Sequence, residues 1–431
     1  MPRPDEVDSP RLHRGLRRVD VIALTVNVIV GAGVYAMPAG LAAAAGRWSL
    51  AVLMAAFVAV ALLALSLAEV ASRFDRTGGP QLYADAAFGP LAGFTVGWLL
   101  AVSRVAVFAA IAHVMLDYAA VLWPPLEGPW PRACAITAFI ATLAAFNLRG
   151  VTRGAMLGNL LTLAKLLPLV AIALAGLWLA GWNELPSTAP RQPDGLTEGL
   201  LLALFACFGF EQSAIIAGEM RDPRRDLAPS ILGGLALACG LYLLLMFACF
   251  ALLPNTAAST RPLADIAEAL IGPAGGMLMA AAAVLSCAGG LSGSMLVSPR
   301  IFFALAEGGD LPRELAAVHP VRRTPYVAIV VMAMLAWLMA ISGGFLYLVS
   351  VFVIARIVAY GATSAALIAL RRREGPAPVS IPGGPIIAVA ALLCCVAIAF
   401  STSWVAVRDV AIALAVGLAI RAWVRRPAAG K

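Results

Sequence analysis

Apolar residues run through the chain in stretches of about twenty, separated by short polar joints. Twelve such stretches stand out: 19–44, 49–71, 89–122, 132–147, 155–181, 196–219, 228–253, 275–305, 325–343, 345–370, 384–402 and 405–424. Each is long enough to cross a hydrocarbon layer about 30 Å thick. Lipid offers no water to satisfy open backbone groups, so each is predicted to be an α-helix. Strand-like alternation is absent, and no linker is long enough to part folded domains. The longest polar interruptions are 72–88, 182–195, 254–274 and 306–324.

Two of the stretches carry helix breakers at mid-span. The first contains "NVIVGAGVYAMPAG", with Gly31, Gly33, Pro38 and Gly40. The sixth contains "LFACFGFEQSAIIAGEM", with Gly209 in its interior. Glycine costs about 1 kcal/mol and proline about 3 kcal/mol relative to alanine inside a helix. Freed backbone groups cost several kcal/mol each in lipid unless something satisfies them. Stretches one and six hold corresponding places if stretches one to five and six to ten are two copies. Five is odd, so the second copy is inverted. The fold expected is an all-α membrane protein of twelve spans: a 5+5 inverted repeat with discontinuous helices 1 and 6, plus two C-terminal helices. Its parts are a tail (1–18), a first repeat (19–181), a second repeat (196–370), the last two helices (384–424) and a short tail (425–431).

A broken helix presents two poles. The N–H groups of Gly31, Ala32 and Gly33 open the second half-helix and suit a carboxylate. The carbonyls before the break, Ile29 and its neighbours, suit an ammonium. The second break, Ala206 to Gly209, adds further carbonyls, and Phe205 beside it is placed to close over a ligand. The competing reading makes the glycines helix-packing positions, which is preferred for Gly40. A small zwitterion fits the first reading.

Composition agrees. The 431 residues are 62% hydrophobic and only 13% charged, against roughly 25% in soluble domains. That excludes an ordinary soluble enzyme. The net charge of +8 does not indicate nucleic acid, because of how it is distributed. With an even number of crossings, 22 Lys and Arg fall on the side of the termini and 5 on the other. The bias places both termini in the cytoplasm, in a cell inner membrane. The N-terminal tail, basic and lacking an apolar core, reads as a solvated arm and not as a signal peptide. The seven cysteines lie in apolar stretches and read as small core residues. No nucleophile–base set, phosphate loop or metal-ligand spacing is visible, so no enzyme activity, cofactor or metal is expected.

Charges inside the spans cost roughly 2.5–3.5 kcal/mol each and are functional candidates. Glu211 follows the second break and is assigned a role in coupling protonation to helix movement. Lys165, ten residues into the fifth stretch, can take the place of a coupling cation. Arg104, deep in the third stretch, either pairs with Glu211 or faces an anionic group of the ligand. Arg356 and Arg300 read as structural. His113 and Asp117, four apart, read as a local pair.

These residues also sit in recognisable motifs. "VGAGVYAMPAG", "AEVASRFDRTGGPQLYADAAFG", "FACFGFEQSAIIAGEMRDPRRDLAPSI", "SPRIFFALAEGGDLP" and "IPGGP" occur in the order found in the amino acid–polyamine–organocation superfamily of transporters, which the chain resembles over residues 15–426. The resemblance implies a substrate carboxylate at Gly31, Ala32 and Gly33, and an amino group at carbonyls near Ile29, Phe205, Ala206 and Phe208. It implies an aromatic gate at Phe205 and a proton-responsive acid at Glu211. It also implies a lysine, Lys165, where other members bind sodium, which favours protons as the coupling ion. Two positions depart from the pattern. Arg104 replaces an aromatic or small residue, and Ser294 replaces a large aromatic of cationic-substrate members. The function expected is secondary active transport of an amino acid or related amine. Exchange or export without proton coupling, and amino acid sensing without transport, are the alternatives.

Overall fold

The computed structural model describes residues 17–74, 79–149, 154–179, 195–211, 220–253 and 255–426, with side chains omitted at 154–164 and 223–224. The described residues form α-helices and short 3-10 turns, with no strand among them. In chain order the helices are α1 (Arg18–Ile29), α2 (Gly33–Ala45), α3 (Ser49–Ala71), α4 (Pro80–Phe88), α5 (Pro90–Leu122), α6 (Pro129–Leu148), α7 (Gly154–Leu179) and α8 (Gly195–Cys207). There follow α9 (Pro223–Leu252), α10 (Pro262–Ile271), α11 (Pro273–Val297), α12 (Pro299–Glu307), α13 (Tyr326–Ser342), α14 (Phe345–Glu374), α15 (Gly384–Ser401) and α16 (Trp404–Val424). Helices cover most of the described residues of the twelve predicted stretches, with interruptions at 30–32 and 208–210. Among the described residues, seven helical stretches are long and apolar enough to cross a membrane, and Lys165–Leu179, Gly195–Cys207 and Tyr326–Ser342 are shorter apolar helices. Residues 1–16 of the predicted tail 1–18, residues 427–431 of the tail 425–431, most of the 182–195 joint and the end of the sixth stretch at 212–219 lie outside the described residues.

Helix starts follow backbone chemistry. Proline opens α4, α5, α6, α9, α10, α11 and α12, where its missing N–H would have had no helical partner. Two of these starts make the same corner. Gly89 ends α4 with φ +90° and Pro90 begins α5; Gly272 ends α10 with φ +78° and Pro273 begins α11. Both glycines hold a left-handed conformation that L side chains rarely adopt. The short helix folds back on the long one in each case. A Cβ on Gly93 would lie 2.7 Å from the Asp85 Cβ, and one on Gly276 would lie 3.1 Å from the Glu268 Cβ. Each of these glycines follows its corner by four residues, and each acidic residue precedes it by four. The unit "short helix, Gly-Pro, long helix" therefore occurs twice, with the same contact.

The core is the meeting of these helices. α2 packs along α8, α1 along α9, and α5 lies against both α11 and α14. Large apolar side chains point outward as well, among them Leu167, Trp178, Ile386, Leu393 and Phe400. That surface suits lipid and not water.

At the rim, Glu69 at the end of α3 is fully buried. It accepts hydrogen bonds from Arg371 Nε (2.5 Å), Arg371 Nη2 (2.8 Å) and the Ile381 N–H (3.0 Å). A Cβ on Gly384 would lie 2.7 Å from both Arg371 Nη2 and Glu69 Oε2, which explains the second glycine of "IPGGP"; the first, Gly383, has φ +71°. One cysteine departs from expectation: Cys134 is exposed, while Cys207, Cys239, Cys249, Cys287 and Cys395 are buried.

Candidate functional site

The first span is interrupted where its glycines stand. α1 ends at Ile29 and α2 begins at Gly33. Val30 has φ −73° and ψ 73°, and the Gly31 N–H turns back to the Ile29 carbonyl at 2.7 Å, an inverse γ-turn. Pro38 lies inside α2 and is not the break. The second interruption follows α8, with a turn at 208–210 in which Gly209 has φ +127°.

The two interruptions cross. A Cβ on Gly33 would come within 2.7 Å of the Ala206 Cα, and one on Gly209 within 2.9 Å of Val28 Cγ1 and 3.3 Å of the Val28 carbonyl. Gly33 thus serves close packing of α2 on α8. Gly40 does the same, since its Cβ would meet Leu202 Cδ1 at 2.8 Å. Gly31 is different. A Cβ there would meet only the Val28 and Ile29 carbonyls, at 3.7 and 3.9 Å, and the residue is half-buried.

A continuous helix would bond the carbonyls of Asn27, Val28 and Ile29 to the N–H groups of residues 31, 32 and 33. The break releases all three, and side chains take two of them. Lys165 Nζ on α7 donates to the Asn27 carbonyl at 2.7 Å. Tyr242 Oη on α9 lies 2.8 Å from the Ile29 carbonyl and 3.0 Å from the Ala206 carbonyl, and shares its one proton between the two broken spans. Among the described residues, the carbonyls of Val28 and Phe205 accept no hydrogen bond, and the N–H groups of Ala32 and Gly33 donate none. Unused donors and acceptors thus face one crossing. The Gly31 N–H, expected among the donors, is spent on its own turn in this structure.

An aromatic cluster flanks the crossing. Phe205 meets Phe345 and Phe352 of α14 at 5.9 and 5.5 Å between ring centres, and Phe208 meets Phe352, Phe210 and Tyr360. Tyr35 of α2 packs edge-on against Tyr118 of α5 at 5.4 Å, and Tyr118 Oη donates to the Tyr35 carbonyl at 3.0 Å.

Behind Phe208 lies the charged cluster. Arg356 donates to Glu211 Oε1 through Nη1, to Ser103 Oγ through Nε (3.0 Å) and to Tyr360 Oη (2.8 Å). Tyr360 Oη donates to Glu211 Oε2 at 2.7 Å. Arg104 Nη2 lies 3.8 Å from the same Oε1. The pairing of Arg104 with Glu211 is therefore present but secondary, and Arg356 is the tight partner.

The structure does not bring every expected residue together. Ser294 lies near the C-terminal end of α11, where its Oγ is 3.1 Å from Ser298 Oγ. His113 and Asp117 are not a direct pair: Arg132 bridges them, with Nη1 2.8 Å from Asp117 Oδ1 and Nη2 3.0 Å from the His113 carbonyl. Among the described residues no group of His, Cys, Asp and Glu could hold a metal. Tyr242 was invisible to sequence reasoning, since a lone tyrosine in an apolar helix reads as core.

Comparison with known proteins gives the same direction. The family model described as amino acid permease matches residues 16–416. The serine/threonine exchanger SteT of Bacillus subtilis (strain 168) is 29% identical over 329 residues, 74% of each chain. The branched-chain amino acid permease BcaP of the same organism is 27% identical over 441 residues, covering 95% of this chain and 92% of BcaP. The cationic amino acid transporter 4, vacuolar, of Arabidopsis thaliana is 28% identical over 392 residues, 84% of this chain and 64% of that one. The chain is a multi-pass membrane protein and belongs to the amino acid permease family.

Proposed function

We propose that the protein carries an amino acid or a closely related amine across the cell inner membrane by alternating access, driven by protons. The observation that carries the reading is the crossing of the two broken spans. It leaves the Ala32 and Gly33 N–H groups for a carboxylate, and the Val28 and Phe205 carbonyls for an ammonium. The Ala206 carbonyl keeps a second lone pair beside the Tyr242 hydroxyl, whereas the Ile29 carbonyl already accepts from both Tyr242 and the Gly31 N–H. Gly31 leaves open the approach to the backbone, and Phe205 and Phe208 wall the site.

In this reading twelve spans form two inverted five-helix repeats followed by α15 and α16. The recurrence of the Gly89–Pro90 and Gly272–Pro273 corners supports two copies. Trp48, Trp123, Trp130, Trp178 and Trp404 are exposed at helix ends on alternate connections, the side opposite the termini. Trp423 is exposed at the opposite end, so tryptophans mark both interfaces, and it is the bias of 22 basic residues to 5 that supports cytoplasmic termini.

Lys165 is the proposed coupling group. Its ammonium fills a carbonyl that the break has freed, so its proton state is tied to the shape of the first span. Glu211 transmits the change to the sixth. Purified protein in proteoliposomes tests this directly. Labelled amino acid is expected to accumulate with an inward proton gradient and not without one; no accumulation of any amino acid under either condition overturns the reading. A second reading, exchange without proton coupling, is favoured by the likeness to SteT, which is named an exchanger. Vesicles preloaded with unlabelled amino acid separate the two.

A further inference from the structure

The cluster behind Phe208 does not balance. Two guanidiniums, Arg104 and Arg356, face one carboxylate, Glu211, and both reach the same oxygen, Oε1. Among the described residues no second carboxylate forms an ion pair with either guanidinium, and one positive charge is left over among them inside an apolar bundle.

The two arginines are not equivalent. Arg356, only 3% accessible at its side chain, spends its donors on Glu211, Ser103 and Tyr360. Arg104 makes no hydrogen bond among the described residues, and its side chain is 17% accessible. Its contact with Glu211 at 3.8 Å is an ion pair without a hydrogen bond. A guanidinium has five N–H donors in a planar fork that matches a carboxylate. A charge held inside a span, with that fork unused and reachable, is built to receive an anion. Its place supports this. Glu211 comes two residues after Gly209, and Tyr360, which bonds Glu211, packs on Phe208 at 5.3 Å. The excess charge therefore stands one aromatic layer behind the crossing that would hold the backbone groups of an amino acid.

We propose that Arg104 is the side-chain subsite of the transported molecule and that the substrate is an acidic amino acid, one with a second carboxylate on its side chain. This rests on the permease reading above. The α-carboxylate and ammonium occupy the crossing, and the side-chain carboxylate lies against the Arg104 fork. The bound anion brings the cluster to neutrality, two positive charges with two negative.

The test is uptake into proteoliposomes of L-glutamate against its neutral isostere L-glutamine, with L-serine as a further neutral substrate, for the natural protein and for Arg104→Gln and Arg104→Lys. The natural protein is expected to prefer glutamate. Loss of one charge-assisted fork contact in Arg104→Gln is expected to lower glutamate uptake about tenfold or more relative to glutamine. Arg104→Lys, which keeps the charge and loses the fork, falls between. Equal or better uptake of glutamine or serine by the natural protein overturns the acidic class and leaves the permease reading standing. So does an equal loss of both substrates in Arg104→Gln that elutes as a folded, monodisperse protein. If Arg104→Gln does not fold, competition of unlabelled glutamate and glutamine in the natural protein decides the matter alone. Transport of no amino acid at all removes both readings.

Discussion

Replacing Glu211 with glutamine keeps the side chain's shape and removes the one carboxylate between Arg104 and Arg356. The natural cluster carries one net positive charge; the variant carries two. Arg356 is buried, and breaking a buried pair by removing one partner costs about 3–5 kcal/mol, because a charge is left without compensation. That is a large share of the roughly 5–15 kcal/mol that holds a protein folded. Arg104→Gln should behave differently. Its attraction to Glu211 at 3.8 Å is worth about 4 kcal/mol at an effective dielectric constant near 20. Repulsion from Arg356, which shares the same carboxylate oxygen, is of similar size, so the loss nets to about 1 kcal/mol or less. Arg356→Gln falls between, since it leaves a neutral Arg104–Glu211 pair but forfeits hydrogen bonds to Ser103, Tyr360 and Glu211. Unfolding followed by tryptophan fluorescence in detergent should therefore rank the midpoints, highest first, as Arg104→Gln, Arg356→Gln, Glu211→Gln. The double variant Arg104→Gln/Glu211→Gln carries one positive charge again and should unfold above Glu211→Gln alone, a compensating coupling that a double-mutant cycle reads directly. A drop in Arg104→Gln as deep as that of Glu211→Gln would refute the reasoning, because it would make Arg104 a full partner and remove the surplus charge.

Four other outcomes follow from the crossing. Gly33→Ala places a Cβ against the Ala206 backbone and should cost about 1–3 kcal/mol, whereas Gly31→Ala meets only ordinary contacts and should unfold close to the natural protein; equal midpoints would discount the close approach of α2 and α8. Gly31→Val, with more bulk at the approach to the backbone, is expected to lose amino acid binding while remaining folded, measured by ligand-induced shifts in unfolding. Tyr242→Phe removes the hydroxyl shared by the Ile29 and Ala206 carbonyls and should cost about 1–2 kcal/mol in thermal unfolding, with no change expected if those carbonyls are otherwise satisfied. Lys165→Ala should abolish the dependence of uptake on a proton gradient, and accumulation that still follows the gradient would remove its coupling role.

Most of the helical layout was legible in the chain because lipid makes helices obligatory wherever twenty apolar residues run together. The breaks were legible for the opposite reason: glycine inside a span is costly enough to stand out. Gly209 proved to need its left-handed backbone, and Gly33 its missing Cβ. Less visible was which glycine does what. Gly31 and Gly33 look alike in "VGAGV", yet one packs against α8 and the other faces open approach, a distinction set by a helix some 170 positions away in the chain. Partners across such separations leave no period to read. Arg356 and Glu211 are 145 residues apart, and Tyr242 reaches Ile29 from 213 residues away. Nothing in the neighbourhood of either tyrosine or arginine marks it as bound to a break.

On the proposed reading, the two Gly-Pro corners are where a duplicated membrane fold leaves a sequence trace. A helix facing lipid needs only to be apolar, so alanine, leucine and valine exchange freely there and two copies lose their likeness. A corner is more demanding. The chain must reverse from a short helix into a long one, which fixes a glycine at positive φ and a proline at the first helical position; the two helices must then lie flat together, which fixes a residue without a Cβ one turn later. Those three demands read "GPLAG" at residues 89–93 and "GPAGG" at 272–276, and they share a glycine, a proline and a final glycine. The two span breaks obey a different constraint. Each must free backbone groups where the spans cross, but the first does so with an inverse γ-turn at Val30 and the second with a positive φ at Gly209. The two breaks thus use different backbone devices, because a crossing needs released poles and not one particular turn. The corner keeps its residues because only one geometry will serve; on the proposed reading the two breaks differ because they would grip different ends of one ligand.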